Sequence, residues 1–142
     1  MPAQTTRPNN PPEHRIIAVV DDDEPVRAAT TRLLRSLGFR VRAFATAGDF
    51  IGRSDPREIE CLVLDVQMPG INGLELQAQL TASGHRLPII FITGSDDAGE
   101  RNKAFRAGAV AYLKKPFSDE ALVTAIRAAL KPSASRAQDT NE

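Results

Sequence analysis

Four acids in a row, Asp21, Asp22, Asp23 and Glu24, follow an apolar run in the stretch VVDDDEPVR. Adjacent like charges repel, so such a run either stays in water or is neutralised by something cationic. Three further residues with chemical potential stand at or just past the ends of other apolar runs: Asp65 in CLVLDVQMPG, Thr93 in IIFITG and Lys115 in YLKKPF. Carboxylates without thiolates suit a hard divalent cation such as Mg2+, which prefers oxygen ligands and keeps several waters. A metal held by two carboxylates leaves room for a phosphoryl oxygen. Each residue also has a plainer role. Asp23 and Glu24 can cap or flank a following helix, favourably to its dipole, and Asp21 and Asp22 could do the same. Taken singly, Thr93 is an ordinary strand threonine and Lys115 an ordinary solvated charge. Chemistry follows only from their joint placement, which depends on the elements that carry them.

Short apolar runs alternate with helical patterns along the chain. The runs are Ile16–Val20, Arg40–Phe44, Cys61–Leu64, Pro88–Thr93 and Ala109–Leu113. Three of them, IIAVV, CLVL and IIFIT, are continuously apolar, the pattern of strands covered on both faces in a parallel sheet. In Val26–Leu37 the apolar residues fall at 26, 29, 33, 34 and 37, one face at helical spacing. Pro25 suits the first turn of that helix and Gly38 its end. Helices are expected likewise over Thr46–Arg53, Gly73–Ser83, Ala98–Ala107 and Ser118–Leu130, the last with a Ser cap and two acids in its first turn. Five such strand–helix units demand an α/β fold, a parallel sheet with right-handed crossovers and helices on both faces. Ligands of such sheets bind outside the carboxyl ends of the strands, at a topological switch point. Asp21, Asp22, Asp65, Thr93 and Lys115 then converge on one rim.

The whole chain sets the bounds. Its 142 residues suit one domain plus tails. Eighteen basic and 18 acidic residues cancel, and no dense Lys/Arg run appears, so nothing suggests a nucleic-acid binder. The single cysteine, Cys61, excludes an intramolecular disulfide and a thiolate metal cluster, and reads as a small core residue. Residues 1–14 hold four prolines and almost no apolar surface, and residues 132–142 are polar; both are expected to be disordered tails around a domain over 15–131. There is no signal-peptide pattern and no apolar run near the roughly 20 residues of a membrane span, so a soluble, cytoplasmic protein is expected. His14 falls in the first tail and His85 in a turn, and neither has a partner in sequence.

The order DD, LDVQMPGINGLEL, FITG, KKPF resembles the receiver domain of two-component response regulators. The resemblance covers essentially all of residues 15–131, and its motifs are specific in combination. The details VDDDEPVR, ITG and AGAVAYLKKPF look closest to the FixJ subfamily. The resemblance implies a CheY-like, flavodoxin-like (βα)5 doubly wound sheet of strand order 2-1-3-4-5. It implies that Asp65 is the phosphoacceptor, and that Asp21, Asp22, Asp65 and the backbone carbonyl of Gln67 hold Mg2+, for which Mn2+ can substitute. Thr93 would be the switch hydroxyl, Lys115 the phosphate-pairing lysine and Tyr112 the switch aromatic, with a cis bond between Lys115 and Pro116. Gln67 and Ser95 would tune the lifetime of the phosphate; Asp96 and Asp97 make the mouth more acidic, which either tunes metal or partner binding or has no effect.

On this reading the donor is a phosphohistidine on a sensor histidine kinase or a histidine phosphotransfer protein. Asp65 attacks in line, and the charge added at one point draws in Thr93 and lets Tyr112 turn inward. The face of the fourth helix, fifth strand and fifth helix, around Ala104, Phe105, Ala109, Tyr112 and Lys114, then changes shape. Its output would be a downstream protein or a phosphorylation-dependent homodimer, with no nucleic acid bound by this chain and no membrane. The chain would be no enzyme but a phosphoacceptor that assists its own phosphorylation and dephosphorylation. FixJ-type proteins usually continue into a DNA-binding domain; only 11 polar residues follow Lys131, so a stand-alone receiver or a truncated chain is expected.

Three other readings compete. A phosphatase of the haloacid dehalogenase type also uses an aspartate, a hydroxyl, a lysine and Mg2+, and Asp21 and Asp23 spell its D-x-D; but its nucleophile ends strand 1, and Pro25 stands where Thr or Val belongs. A dinucleotide-binding unit lacks its glycine fingerprint here, and four acids would repel a pyrophosphate. A degenerate receiver would bind partners without phosphorylation, although all five site positions hold competent residues.

Overall fold

The computed structural model describes residues 16–95 and 97–131. The expectations for residues 1–14, for Asp96 and for residues 132–142 lie outside the described residues. The elements run β1 (Ile16–Val20), α1 (Glu24–Ser36), β2 (Arg40–Phe44), α2 (Ala47–Arg53), β3 (Ile59–Asp65), α3 (Gly73–Ala82), β4 (Ile89–Thr93), α4 (Ala98–Arg106), β5 (Ala111–Lys114) and α5 (Asp119–Ala129). All neighbouring strands pair in parallel, in the order β2-β1-β3-β4-β5. The chain leaves β1 toward β2 on one side and returns to β3 on the other, so the switch point lies between β1 and β3.

Side-chain alternation divides the core between the two faces of the sheet. Ala18, Val20, Leu62, Leu64 and Phe91 pack toward α2, α3 and α4 through Phe50, Leu76, Leu80 and Ala104. Ile17, Val19, Cys61, Val63, Ile90 and Ile92 pack toward α1 and α5 through Leu34, Leu122 and Ile126. This double covering explains why the central strands read as continuous apolar runs, whereas β2 and β5 at the edges are partly exposed. Each fully buried aliphatic side chain contributes about 1.5–3 kcal/mol before ordering costs. Cys61 is fully buried, and burial pushes its thiol up to about 12, so it is an inert core residue.

Where boundaries differ from expectation, local hydrogen bonds account for it. Helix α1 starts at Glu24 because Asp23 caps it, its carboxylate accepting from the Val26 amide at 3.4 Å. Strand β5 begins two residues later than expected because the Ala109 amide closes α4 onto the Ala104 carbonyl at 3.0 Å; the Val110 amide then joins the sheet at the Ile89 carbonyl, 2.8 Å away. An unanticipated single 3-10 turn, Pro56–Glu58, is capped by Asp55, which accepts from the Arg57 amide at 3.0 Å. No described helix is long and apolar enough to cross a membrane.

Candidate functional site

Asp21 is the first residue past β1 and is fully buried. Three bonds set its backbone and side chain. Its amide donates to the Phe44 carbonyl at 3.1 Å. Its carbonyl accepts from Arg27 Nη1 at 2.7 Å. Its Oδ1 accepts from the Asp23 amide at 2.9 Å. Asp22, the next residue, is exposed. Asp65, the last residue of β3, is 2% exposed, and its Oδ1 accepts from the Gln67 amide at 3.2 Å. One carboxylate oxygen from each of Asp21, Asp22 and Asp65 lies within 4.8 Å of the others.

Lys115, the residue after β5, is held by its amide on the Thr93 carbonyl at 2.7 Å, and its bond to Pro116 is cis. Its ammonium stands 3.2 Å from Asp21 and 3.3 Å from Asp65. Burial pushes the Asp65 carboxyl up, the neighbouring Asp21 pushes it further, and Lys115 only partly offsets them, leaving it at about 7. Burial works against the Lys115 charge, but the Asp65 and Asp21 carboxylates outweigh it and hold the ammonium above the ordinary lysine value.

Thr93 ends β4 and is fully buried. Its Oγ1 lies 2.9 Å from Gln67 Oε1 and 3.0 Å from the Ser95 carbonyl, and accepts from the Ser95 amide at 3.0 Å. Tyr112 on β5 is half-buried, its ring packed between Phe91 and Phe105 at centroid distances of 6.1 and 6.4 Å. Its hydroxyl is buried without a hydrogen-bond partner among the described residues. Burial, then the charge of Glu100, raises its phenol above the ordinary value.

The structure thus brings Asp21, Asp22, Asp65 and Lys115 together at the switch point, with Thr93 and Gln67 beside them and Tyr112 behind Thr93 on the neighbouring strand. The expected output face needs one correction. Ala104 is fully buried in the core beneath α4, whereas Phe105 is 45% exposed and Lys114 is exposed. His85 is half-buried in the turn after α3, its amide on the Leu80 carbonyl at 2.9 Å, away from the site.

Several contributors were not singled out from sequence. Arg27 pins the end of β1. Glu100 on α4 accepts from Gln67 Nε2 at 3.2 Å. Gly73, the first residue of α3, lies so close to the end of β3 that a Cβ there would run into the Asp65 carbonyl oxygen and the Val66 Cα. A capping box between Asn72 and Glu75 starts α3, but no sequence pattern reveals a backbone approach from another element.

A doubly wound five-stranded sheet with this strand order and three aspartates at its switch point defines a CheY-like receiver fold. The comparisons agree. The family model "Response regulator receiver domain" matches residues 17–127, and the chain belongs to that family. It is 42% identical over 130 residues to the response regulator protein TmoT of Ectopseudomonas mendocina, covering 92% of this chain and 59% of the relative. It is 41% identical over 123 residues to the transcriptional regulatory protein FixJ of Azorhizobium caulinodans, covering 87% and 58%. The solved structure of the response regulator StyR superposes with a TM-score of 0.80 at 44% identity, covering 90% of this chain and 65% of that one. The chain therefore spans under two thirds of the length of each of these relatives. FixJ proteins are among the relatives, and TmoT ranks above them. Family membership displaces the phosphatase and dinucleotide readings.

The donor set fits a hard divalent ion. Asp21 Oδ2 is fully buried yet accepts no hydrogen bond, although Lys115 Nζ stands 3.2 Å away. Two buried carboxylates that share a single ammonium favour a second cation beside them. The three oxygens that gather there are the ligand type Mg2+ prefers.

Proposed function

We propose that this chain is a working phospho-receiver in which Asp65 takes a phosphoryl group from a phosphohistidine on a sensor kinase or phosphotransfer protein. The observation that carries this reading is the buried Asp21–Asp65 pair, which shares one ammonium and gathers with Asp22 within 4.8 Å. Asp21, Asp22, Asp65 and the Gln67 carbonyl would hold Mg2+. When bound, the ion supplies positive charge against the equatorial phosphoryl oxygens and the attacking carboxylate.

The chain's own residues do the rest. The Gln67 amide orients the Asp65 carboxylate through its bond to Oδ1. An Asp65 oxygen forms the new bond to phosphorus as the phosphorus–nitrogen bond of the donor breaks, and the imidazole leaves with the electron pair. Lys115, freed from sharing two carboxylates, pairs with a phosphoryl oxygen. The Thr93 hydroxyl turns to donate to another, and Tyr112 moves with it, reshaping the face of α4, β5 and α5. Output passes through that face to a partner protein or a second copy of the chain. The chain is accordingly a phosphoacceptor rather than an enzyme acting on a separate substrate.

Incubation with acetyl phosphate, followed by phosphate-affinity electrophoresis, tests the reading. A retarded band that requires Mg2+ is expected. No retarded band, together with no Mg2+-dependent response to beryllofluoride, would instead mark a binding module that has lost its switch.

A further inference from the structure

We infer that Glu100 is a positioning residue that, by holding the Gln67 amide, keeps an acceptor facing the Thr93 hydroxyl proton in the unphosphorylated state. This deepens the phospho-receiver reading and rests on it.

The argument begins with donors and acceptors. A carboxylate only accepts, so Glu100 Oε1 takes the nitrogen end of the Gln67 amide, 3.2 Å away. That leaves the amide oxygen facing Thr93 Oγ1 at 2.9 Å. An amide oxygen also only accepts, so Thr93 must donate. A threonine has one hydroxyl proton. The Ser95 amide already donates to Oγ1, and the Ser95 carbonyl, 3.0 Å away, is the competing acceptor. The hydroxyl proton is therefore committed to Gln67 or Ser95. A phosphoryl oxygen on Asp65 must compete with both.

The fate of the Glu100 side chain supports this role. Asn72 and Glu75 form a full capping box at α3, the Glu75 carboxylate accepting from the Asn72 amide at 2.8 Å. Asp97 and Glu100 have the same spacing at the start of α4, and Asp97 accepts from the Glu100 amide at 3.0 Å. Yet the Glu100 carboxylate reaches across to Gln67 on the loop after β3. Glu100 also raises the phenol of Tyr112, whose hydroxyl is buried without a partner among the described residues. One carboxylate on α4 thus acts on both residues that must rearrange.

Without Glu100 the Gln67 amide can turn over and offer its nitrogen to Thr93, which then accepts from it, so that a phosphoryl oxygen has only the Ser95 carbonyl to displace. Glu100→Ala should therefore tighten beryllofluoride binding at fixed Mg2+ by about 2- to 5-fold, the range of one exposed charge-assisted hydrogen bond. Loss of a nearby negative charge could tighten binding directly, so the titration is repeated in Gln67→Ala, which keeps the backbone carbonyl. There the Glu100→Ala effect should vanish, because the relay is gone. In the metal-free protein, Glu100→Ala should also shift the Gln67 side-chain amide resonances in a 1H–15N spectrum. Unchanged or weaker binding in Glu100→Ala, equal tightening in the Gln67→Ala background, or unmoved amide resonances would each overturn the inference. If the unmutated protein gives no beryllofluoride response while the amide resonances do shift, the phospho-receiver reading fails, and the inference fails with it.

Discussion

Lys115 joins the ends of β1 and β3 without belonging to either: its ammonium lies 3.2 Å from Asp21 and 3.3 Å from Asp65. Two carboxylates that would otherwise repel in a buried crevice share one cation from a third part of the chain. The site is therefore assembled before any ligand arrives, and with both carboxylates ionised it is short of positive charge by one unit, counting only these three groups.

Lys115→Met tests that assembly. Removing the ammonium leaves two buried carboxylates unpaired, and Asp65 should respond by holding its proton to higher pH. Part of the penalty is relieved in that way, so the expected loss of stability at neutral pH is about 1–3 kcal/mol by urea denaturation. An unchanged midpoint would mean that the ammonium does not hold the crevice together.

The pH dependence of the metal-free protein follows from Asp65. Its folded-state carboxyl titrates at about 7, against about 3.9 for an unfolded aspartate. Between these values the folded chain binds a proton that the unfolded chain has lost. This contribution to stability is complete below the unfolded value and is lost as pH rises through the folded one. Asp65→Asn removes the group. The thermal midpoint of the unmutated protein should fall relative to that of Asp65→Asn as pH rises from about 5 to about 8. Parallel curves would contradict the shift.

Gly73→Ala offers a packing test. In an ordinary helix this change stabilises by up to about 1 kcal/mol. Here the added Cβ meets the Asp65 carbonyl oxygen and the Val66 Cα, backbone atoms that cannot swing aside. The expected result is a loss of about 1–3 kcal/mol, together with slower phosphoryl acceptance because the end of β3 is displaced. A gain in stability would show that α3 can back away freely.

Thr93→Ala separates acceptance from switching. The variant should still be phosphorylated but should no longer move Tyr112. Tyr112 is the only tyrosine and the chain has no tryptophan, so intrinsic fluorescence reports that one ring. A normal fluorescence change on beryllofluoride addition would contradict the coupling.

Much of this was legible in the sequence because the physics is local. Three buried strands announced themselves as unbroken apolar runs, and Thr46 and Ser118 were readable as helix starts. Asp21, Asp65, Thr93 and Lys115 could be placed on one rim because a parallel sheet puts all its strand ends there. What stayed hidden depends on tertiary approach. Gly73 is required by the Asp65 carbonyl, not by its own turn. Ala104 looked like part of an outer face but packs under α4. Glu100 carried no signal in the sequence, and only the fold shows its carboxylate reaching Gln67.

The most direct test of the whole account is intact-mass spectrometry after treatment with acetyl phosphate, with and without Mg2+, on the unmutated protein and on Asp65→Asn. The account predicts a gain of one phosphoryl group that requires Mg2+ and disappears in Asp65→Asn while the variant stays folded. The same gain in the variant would contradict the assignment of Asp65 as the acceptor.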